Sequence, residues 1–82
     1  MIDLYRNALN GWKKDFEAYK DLLKYADFNN KKDCIKVIYK GMKNLYINAN
    51  DLSHSLDPSD TDGFNEIKNF KNSITDITGY KL

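Results

Sequence analysis

Few residues in this chain of 82 have the types and spacing that catalysis requires. The one histidine, His54, falls on the polar side of a predicted helix, and the one cysteine, Cys34, falls in the first turn of that helix. A catalytic group needs neighbours that tune its pKa, and neither residue has such a neighbour in the sequence. We therefore interpret His54 as a solvated side chain and Cys34 as a structural one, and we expect no enzyme.

Three aspartates and a glycine between residues 57 and 63 suggest a calcium-binding loop. The EF-hand pattern fails, because aligning Gly63 with its sixth position places Pro58 first and Asn69 where the bidentate glutamate belongs. One cysteine excludes a cysteine-rich zinc site, and the chain has no phosphate-binding or dinucleotide motif. We expect no metal site and no cofactor, and we interpret the aspartates as a helix cap with a polar turn.

Charge argues against nucleic acid as the main partner. The 13 basic and 12 acidic residues leave a net charge of only +1, which is too balanced for binding by bulk electrostatics. Lysines cluster at the start of the second predicted helix, where a solvated helix face is the simpler interpretation. The alternative is a small dimeric nucleic-acid-binding regulator that uses these lysines, which are Lys31, Lys32, Lys36, Lys40 and Lys43.

Apolar residues recur at alternating intervals of three and four residues in three stretches, which is the pattern of amphipathic helices. We predict helices over about residues 2–26, 31–56 and 64–78, packed as one all-α domain spanning 1–82. The first stripe begins at Ile2, the second at Ile35 and the third at Ile67. Because only about four residues join the two long helices, these should form an antiparallel hairpin with coiled-coil-like packing, completed by the shorter third helix into a three-helix bundle.

The sequence also suggests where the helices begin and end. Asn30 is a candidate N-cap of the second helix and Asp62 of the third, while Gly79 suits a left-handed C-terminal residue. Asp57 and Pro58 could instead start a separate helical turn.

Two glycines fall inside the predicted helices, and each costs roughly 1 kcal/mol relative to alanine. Close backbone packing at Gly11 and Gly41 would offset that cost, whereas sequence drift at tolerated positions is the neutral alternative.

The third helix is too short to cover the whole hairpin. It starts where the second helix ends, so it should leave the end near the first loop uncovered, unless Phe28 or the C-terminal Tyr80-Lys81-Leu82 folds over that end. A large exposed apolar patch often marks an interface. We therefore predict a surface that binds a protein partner or a second copy, centred on Tyr19, Leu22, Tyr25, Phe28, Ile35 and Tyr39.

Composition bears on the source of the chain. Phe, Tyr, Met, Ile, Asn and Lys, whose codons are AT-rich, supply 41 of the 82 residues. The sequence shows no transmembrane run and no apolar secretory segment, so we expect a cytoplasmic protein. We expect a small regulator or inhibitor, including the immunity type, encoded by a phage or mobile element and acting on a host or phage protein.

Overall fold

The computed structural model describes the backbone from Ile2 to Leu82 and the side chains from Tyr5 onwards. It contains three helices, α1 (Ile2–Phe28), α2 (Lys32–Ser53) and α3 (Thr61–Thr78), and no strand in the described residues. The all-α prediction is confirmed. The side chain of Ile2, the first member of the predicted apolar stripe, lies outside the described residues.

The three helices are arranged around α2. α1 packs against it as an antiparallel hairpin, and at the open end of the hairpin the Tyr5 hydroxyl donates a hydrogen bond to the carbonyl oxygen of Ser55 at 3.0 Å. α3 packs antiparallel along another side of α2, while the backbones of α1 and α3 lie further apart and the two helices meet through side chains. The result is an elongated bundle of 45 × 22 × 14 Å.

One continuous apolar core joins the helices. Its members come largely from the predicted stripes, because residues three and four apart share a helix face. Phe16 of α1 meets Phe70 of α3 edge-to-face, with ring centroids 5.7 Å apart. The buried residues are Leu9, Phe16, Ala26, Ile38, Met42, Leu45, Tyr46, Ala49, Leu56, Ile67, Phe70 and Ile74.

The predicted N-caps are both wrong. Asn30 adopts a left-handed conformation (φ 54°) beyond the end of α1, and Lys31 precedes α2 without a capping side chain. An asparagine suits this conformation because its short polar side chain tolerates positive φ. At α3 the cap is Asp60, whose Oδ1 accepts a hydrogen bond from the Gly63 amide at 2.9 Å, so α3 begins three residues earlier than predicted.

The other helix ends show how hydrogen bonding sets the boundaries. α2 stops at Ser53, three residues before the predicted end, because the amides of His54 and Ser55 bond to carbonyl oxygens three residues back. Leu56 is still buried, so the apolar spacing continues past the helix. The prediction for Gly79 is confirmed: it is left-handed (φ 75°), and its amide donates to the Thr75 carbonyl at 2.8 Å.

The second loop contains a single turn that starts at Asp57, where the Asp60 amide donates to the Asp57 carbonyl at 2.9 Å. The amide and hydroxyl of Ser59 both donate to Oδ1 of Asp57, at 2.9 and 2.7 Å. These bonds favour the ionised carboxylate, the amide bond most strongly, so the pKa of Asp57 lies below its usual value.

Candidate functional site

The C-terminal segment ends beside the middle of α2 and leaves the first loop uncovered. The Tyr80 ring packs edge-to-face on Tyr46, with centroids 5.1 Å apart, and Lys43 lies over the same Tyr80 ring. The Leu82 amide then donates to the Tyr46 hydroxyl at 3.2 Å. Neither of the two coverings considered from the sequence is formed, since Phe28 at the end of α1 is itself 87% exposed.

An apolar groove of about 390 Å³ opens between α1 and α2 at the end of the hairpin near the first loop. Three of its wall residues are largely exposed: Leu22 at 52%, Tyr25 at 62% and Val37 at 69%. Asp33 is the one charged residue in the lining. We call this surface the hairpin-end groove, and it is lined by Leu22, Tyr25, Ala26, Asp33, Cys34, Val37 and Ile38.

Two of the six predicted interface residues line the hairpin-end groove, namely Leu22 and Tyr25. Tyr19 lies one turn before Leu22 and is only partly exposed, with its ring against the backbone of Gly41. Phe28 follows Tyr25 by three residues and is fully open to solvent.

The remaining two predicted residues, Ile35 and Tyr39, do not line the groove. Both are partly exposed, and Ile35 packs against the core. Their spacing of eleven and seven residues from Tyr46 places them on the stripe of α2 that meets Tyr80. The hairpin therefore has two faces, and the six predicted residues are divided between them.

The sequence prediction missed Val37, the most exposed wall of the groove. It is the one valine of the chain and lies between Lys36 and Ile38, so it does not fit the apolar stripe of α2. Cys34 and Gly41 could have indicated this surface, because these small residues lie seven positions apart and therefore on the same flank of α2.

Close packing explains one of the two helical glycines. A Cβ atom at Gly41 would lie 2.5 Å from Cζ of Tyr19, so the absence of a side chain allows the ring to rest on α2. A Cβ at Gly11 would meet nothing within 4 Å. The contact at Gly41 also fixes the register of the hairpin, with residue 19 opposite residue 41.

Charged residues flank the hairpin-end groove without pairing across it. Asp21 precedes Tyr25 by one turn on α1, and Lys40 follows Val37 on α2. Among the described residues, the one ion pair joins Lys20 to Glu17 at 2.7 Å within α1. The edges of the groove therefore present charges of both signs to a partner.

A second cleft, of about 440 Å³, lies between α1 and α3, beside the contact of Phe16 with Phe70. Its walls differ in charge: Lys13 and Lys20 lie on α1, and Glu66 and Asp76 on α3. Polar and charged side chains make up most of its lining, in contrast to the hairpin-end groove.

Catalytic and metal-binding candidates do not converge in the part of the chain that the structure describes. Cys34 and His54 are both exposed, and they lie at opposite ends of α2. In residues 5–82, whose side chains the structure describes, no three His, Cys, Asp or Glu side chains form a group that could hold a metal ion. None of the described helices combines the length and apolar character needed to cross a membrane.

Comparisons with protein-family models, curated proteins and solved structures found no match to this chain.

Proposed function

We propose that the chain is a non-enzymatic protein-interaction module that docks a protein partner at the hairpin-end groove. The observation that carries the proposal is the exposure of Leu22, Tyr25 and Val37 around one groove that neither α3 nor the C-terminal segment covers. Contiguous apolar surface of this kind, edged by polar residues, is typical of protein-binding sites.

The shape of the groove favours a helical partner segment. It runs along the seam between two antiparallel helices, and an amphipathic helix lying in such a seam would complete a four-helix arrangement with α1, α2 and α3. Tyr25 contributes a large apolar surface and keeps its hydroxyl in water, a combination enriched at interfaces.

Such a module would act by occupying or stabilising its partner. An 82-residue chain that carries one docking surface suits a regulator or an inhibitor, including one of the immunity type, in the cytoplasm. The bias towards AT-rich codons supports an origin in a phage or a mobile element.

Nucleic acid is the less favoured partner. Lysines 32, 36, 40 and 43 are exposed along α2, yet the net charge is +1 and the groove walls are apolar. Phosphate contacts need clustered positive charge, whereas the groove offers apolar surface for burial.

Capture from a lysate of the source cells, followed by affinity measurement with the recovered partner, tests the proposal. Tyr25→Glu and Val37→Glu should each weaken the complex by about 30-fold, the size of a typical hot-spot loss of about 2 kcal/mol. Ile47→Glu is the matched control, because Ile47 is another exposed apolar residue of α2, ten positions from Val37 and away from the groove.

The proposal is wrong if both groove variants bind the recovered partner as tightly as the Ile47→Glu control. A complex with generic DNA that weakens steeply with salt and disappears when Lys36, Lys40 and Lys43 are neutralised would instead establish the nucleic-acid function.

A further inference from the structure

We infer that a second copy of this chain occupies the hairpin-end groove when no other partner is bound, with a two-fold axis parallel to the hairpin. The inference rests on the proposed function and deepens it, because it names the first occupant of the same surface. A symmetric dimer requires a self-complementary surface. Two residue stripes along the edges of the groove provide that complementarity.

The first stripe follows α1 and consists of Asp21, Tyr25 and Phe28, spaced four and three residues apart. The second follows α2 and consists of Asp33, Val37 and Lys40, with the same spacing. One stripe therefore carries an acid and two aromatic rings, and the other carries a valine between an acid and a base.

The register of the hairpin sets which residues of the stripes share a level. With residue 19 opposite residue 41, Asp21 lies at the level of residue 39, one position from Lys40. Tyr25 lies at the level of residue 35, between Asp33 and Val37.

A two-fold axis parallel to the helices preserves these levels and places the α1 stripe of one copy against the α2 stripe of the other. Asp21 then faces Lys40 of the second copy, and Tyr25 faces Val37 of the second copy, and each pair occurs twice. Asp33 comes level with Phe28 of the second copy in the first turn of α2, at the end of the molecule, where its carboxylate reaches water past the edge of the ring. An antiparallel arrangement would instead place α1 against α1 of the second copy and would lose the pairing of Asp21 with Lys40.

The exposed apolar area is somewhat smaller than that of a standard interface, which predicts a weak dimer. Tyr25 and Phe28 expose about 300 Å² between them, from the areas that aromatic side chains normally bury. Leu22 and Val37 add about 100 Å² on the same basis. A standard interface buries about 800 Å² per partner, of which roughly 450–500 Å² is non-polar.

Sedimentation velocity of the purified chain, from low micromolar to about 1 mM, tests the inference. We expect a species with twice the 9.6 kDa chain mass, weakened at least tenfold by Val37→Glu and little changed by Ile47→Glu. A chain that stays at 9.6 kDa over the whole range would overturn the dimer. It would leave the capture of another partner, and so the proposed function, standing.

Charge exchange tests the orientation of the axis. Asp21→Lys alone and Lys40→Asp alone should each weaken the dimer about tenfold, because each places like charges together in two symmetric pairs, and the double variant should restore it. Asp76→Lys, an equal charge change on α3, should have no effect. Failure of the double variant to recover would overturn the parallel two-fold axis.

Cys34 offers an independent probe without any substitution. It lies in the groove lining between the two stripes, near the proposed axis, so a short bifunctional maleimide should link two native chains. Ser73→Cys in a Cys34→Ser background places the thiol in the cleft between α1 and α3, where we expect no link. Equal linking of the native chain and of the Ser73→Cys, Cys34→Ser variant would contradict docking through the hairpin-end groove.

Discussion

Replacing each of the two helical glycines by alanine should have opposite effects on stability. Gly11 lies in α1 with open space where a Cβ would point, whereas at Gly41 that atom would lie 2.5 Å from Cζ of Tyr19. Alanine is favoured over glycine in a helix interior by about 1 kcal/mol at either site. The difference between the two variants therefore measures the contact between the Tyr19 ring and α2.

The expected magnitudes follow from the two environments. Gly11→Ala should raise the free energy of unfolding by about 1 kcal/mol, which corresponds to about 4–8 °C in Tm for a domain of this size. Gly41→Ala makes the same gain but forces the half-buried Tyr19 ring to swing outwards, exposing about 80 Å². At about 25 cal/mol per Å² that costs about 2 kcal/mol, so the net effect is a loss of about 1 kcal/mol.

Urea denaturation followed by circular dichroism gives both free energies of unfolding, and a double-mutant cycle isolates the contact. In a Tyr19→Ala background Gly41→Ala should recover its helix-propensity gain, because the ring no longer obstructs the new methyl group. If Gly41→Ala stabilises the native chain as much as Gly11→Ala does, then the Tyr19 contact contributes nothing and the reasoning is wrong.

Four further substitutions probe other parts of the fold. Asp60→Ala should lower the free energy of unfolding by about 1 kcal/mol, because the α3 cap is lost. Asp62→Ala should lower it by less, about 0.3–1 kcal/mol, because the Asp62 carboxylate interacts only with the helix dipole. Urea titrations of the two variants compare these losses. Phe70→Ala should cost about 3–5 kcal/mol by emptying the edge-to-face site against Phe16, measured by thermal unfolding. Asp57→Asn tests the lowered pKa of Asp57: the folded carboxylate is stabilised above its unfolded pKa of about 3.9, so the wild type should lose stability relative to this variant as the pH falls below about 4.

Periodicity was enough to predict the three helices and most of the core. Phe16, Met42 and Ile74 fall on three- and four-residue stripes, and all three are buried. The exception is Tyr46, which lies one residue after Leu45 on the helix and is buried because Tyr80 and the C-terminal amide of Leu82 cover it. The burial of Tyr46 depends on the path of the C-terminal segment. The helical periodicity of α2 carries no information about that path.

The exact helix ends and the residues of the groove could not be predicted from the sequence, because it offers more than one candidate for each. Asp60 and Asp62 are chemically equivalent candidates for the α3 cap, and the backbone turn that follows Asp57 decides between them by placing Oδ1 of Asp60 on the Gly63 amide. The division of the predicted interface has a similar cause. The side of α2 that α3 occupies determines that Ile35 and Tyr39 face away from Leu22 and Tyr25.

The central position of α2 links the fold to the proposed docking surface. α2 contacts α1 on one side and α3 on another, while α1 meets α3 through side chains, with Phe16 packed edge-to-face on Phe70. The side of the hairpin opposite α3 therefore receives no covering element, and near the first loop it carries Leu22, Tyr25 and Val37 in place of the charged residues that would keep a free face in water. A fourth helix supplied by another molecule fits the same geometry that α3 already uses on the other side of the hairpin. Burial of that face by a partner is thus the same hydrophobic process that folds the chain, continued between molecules.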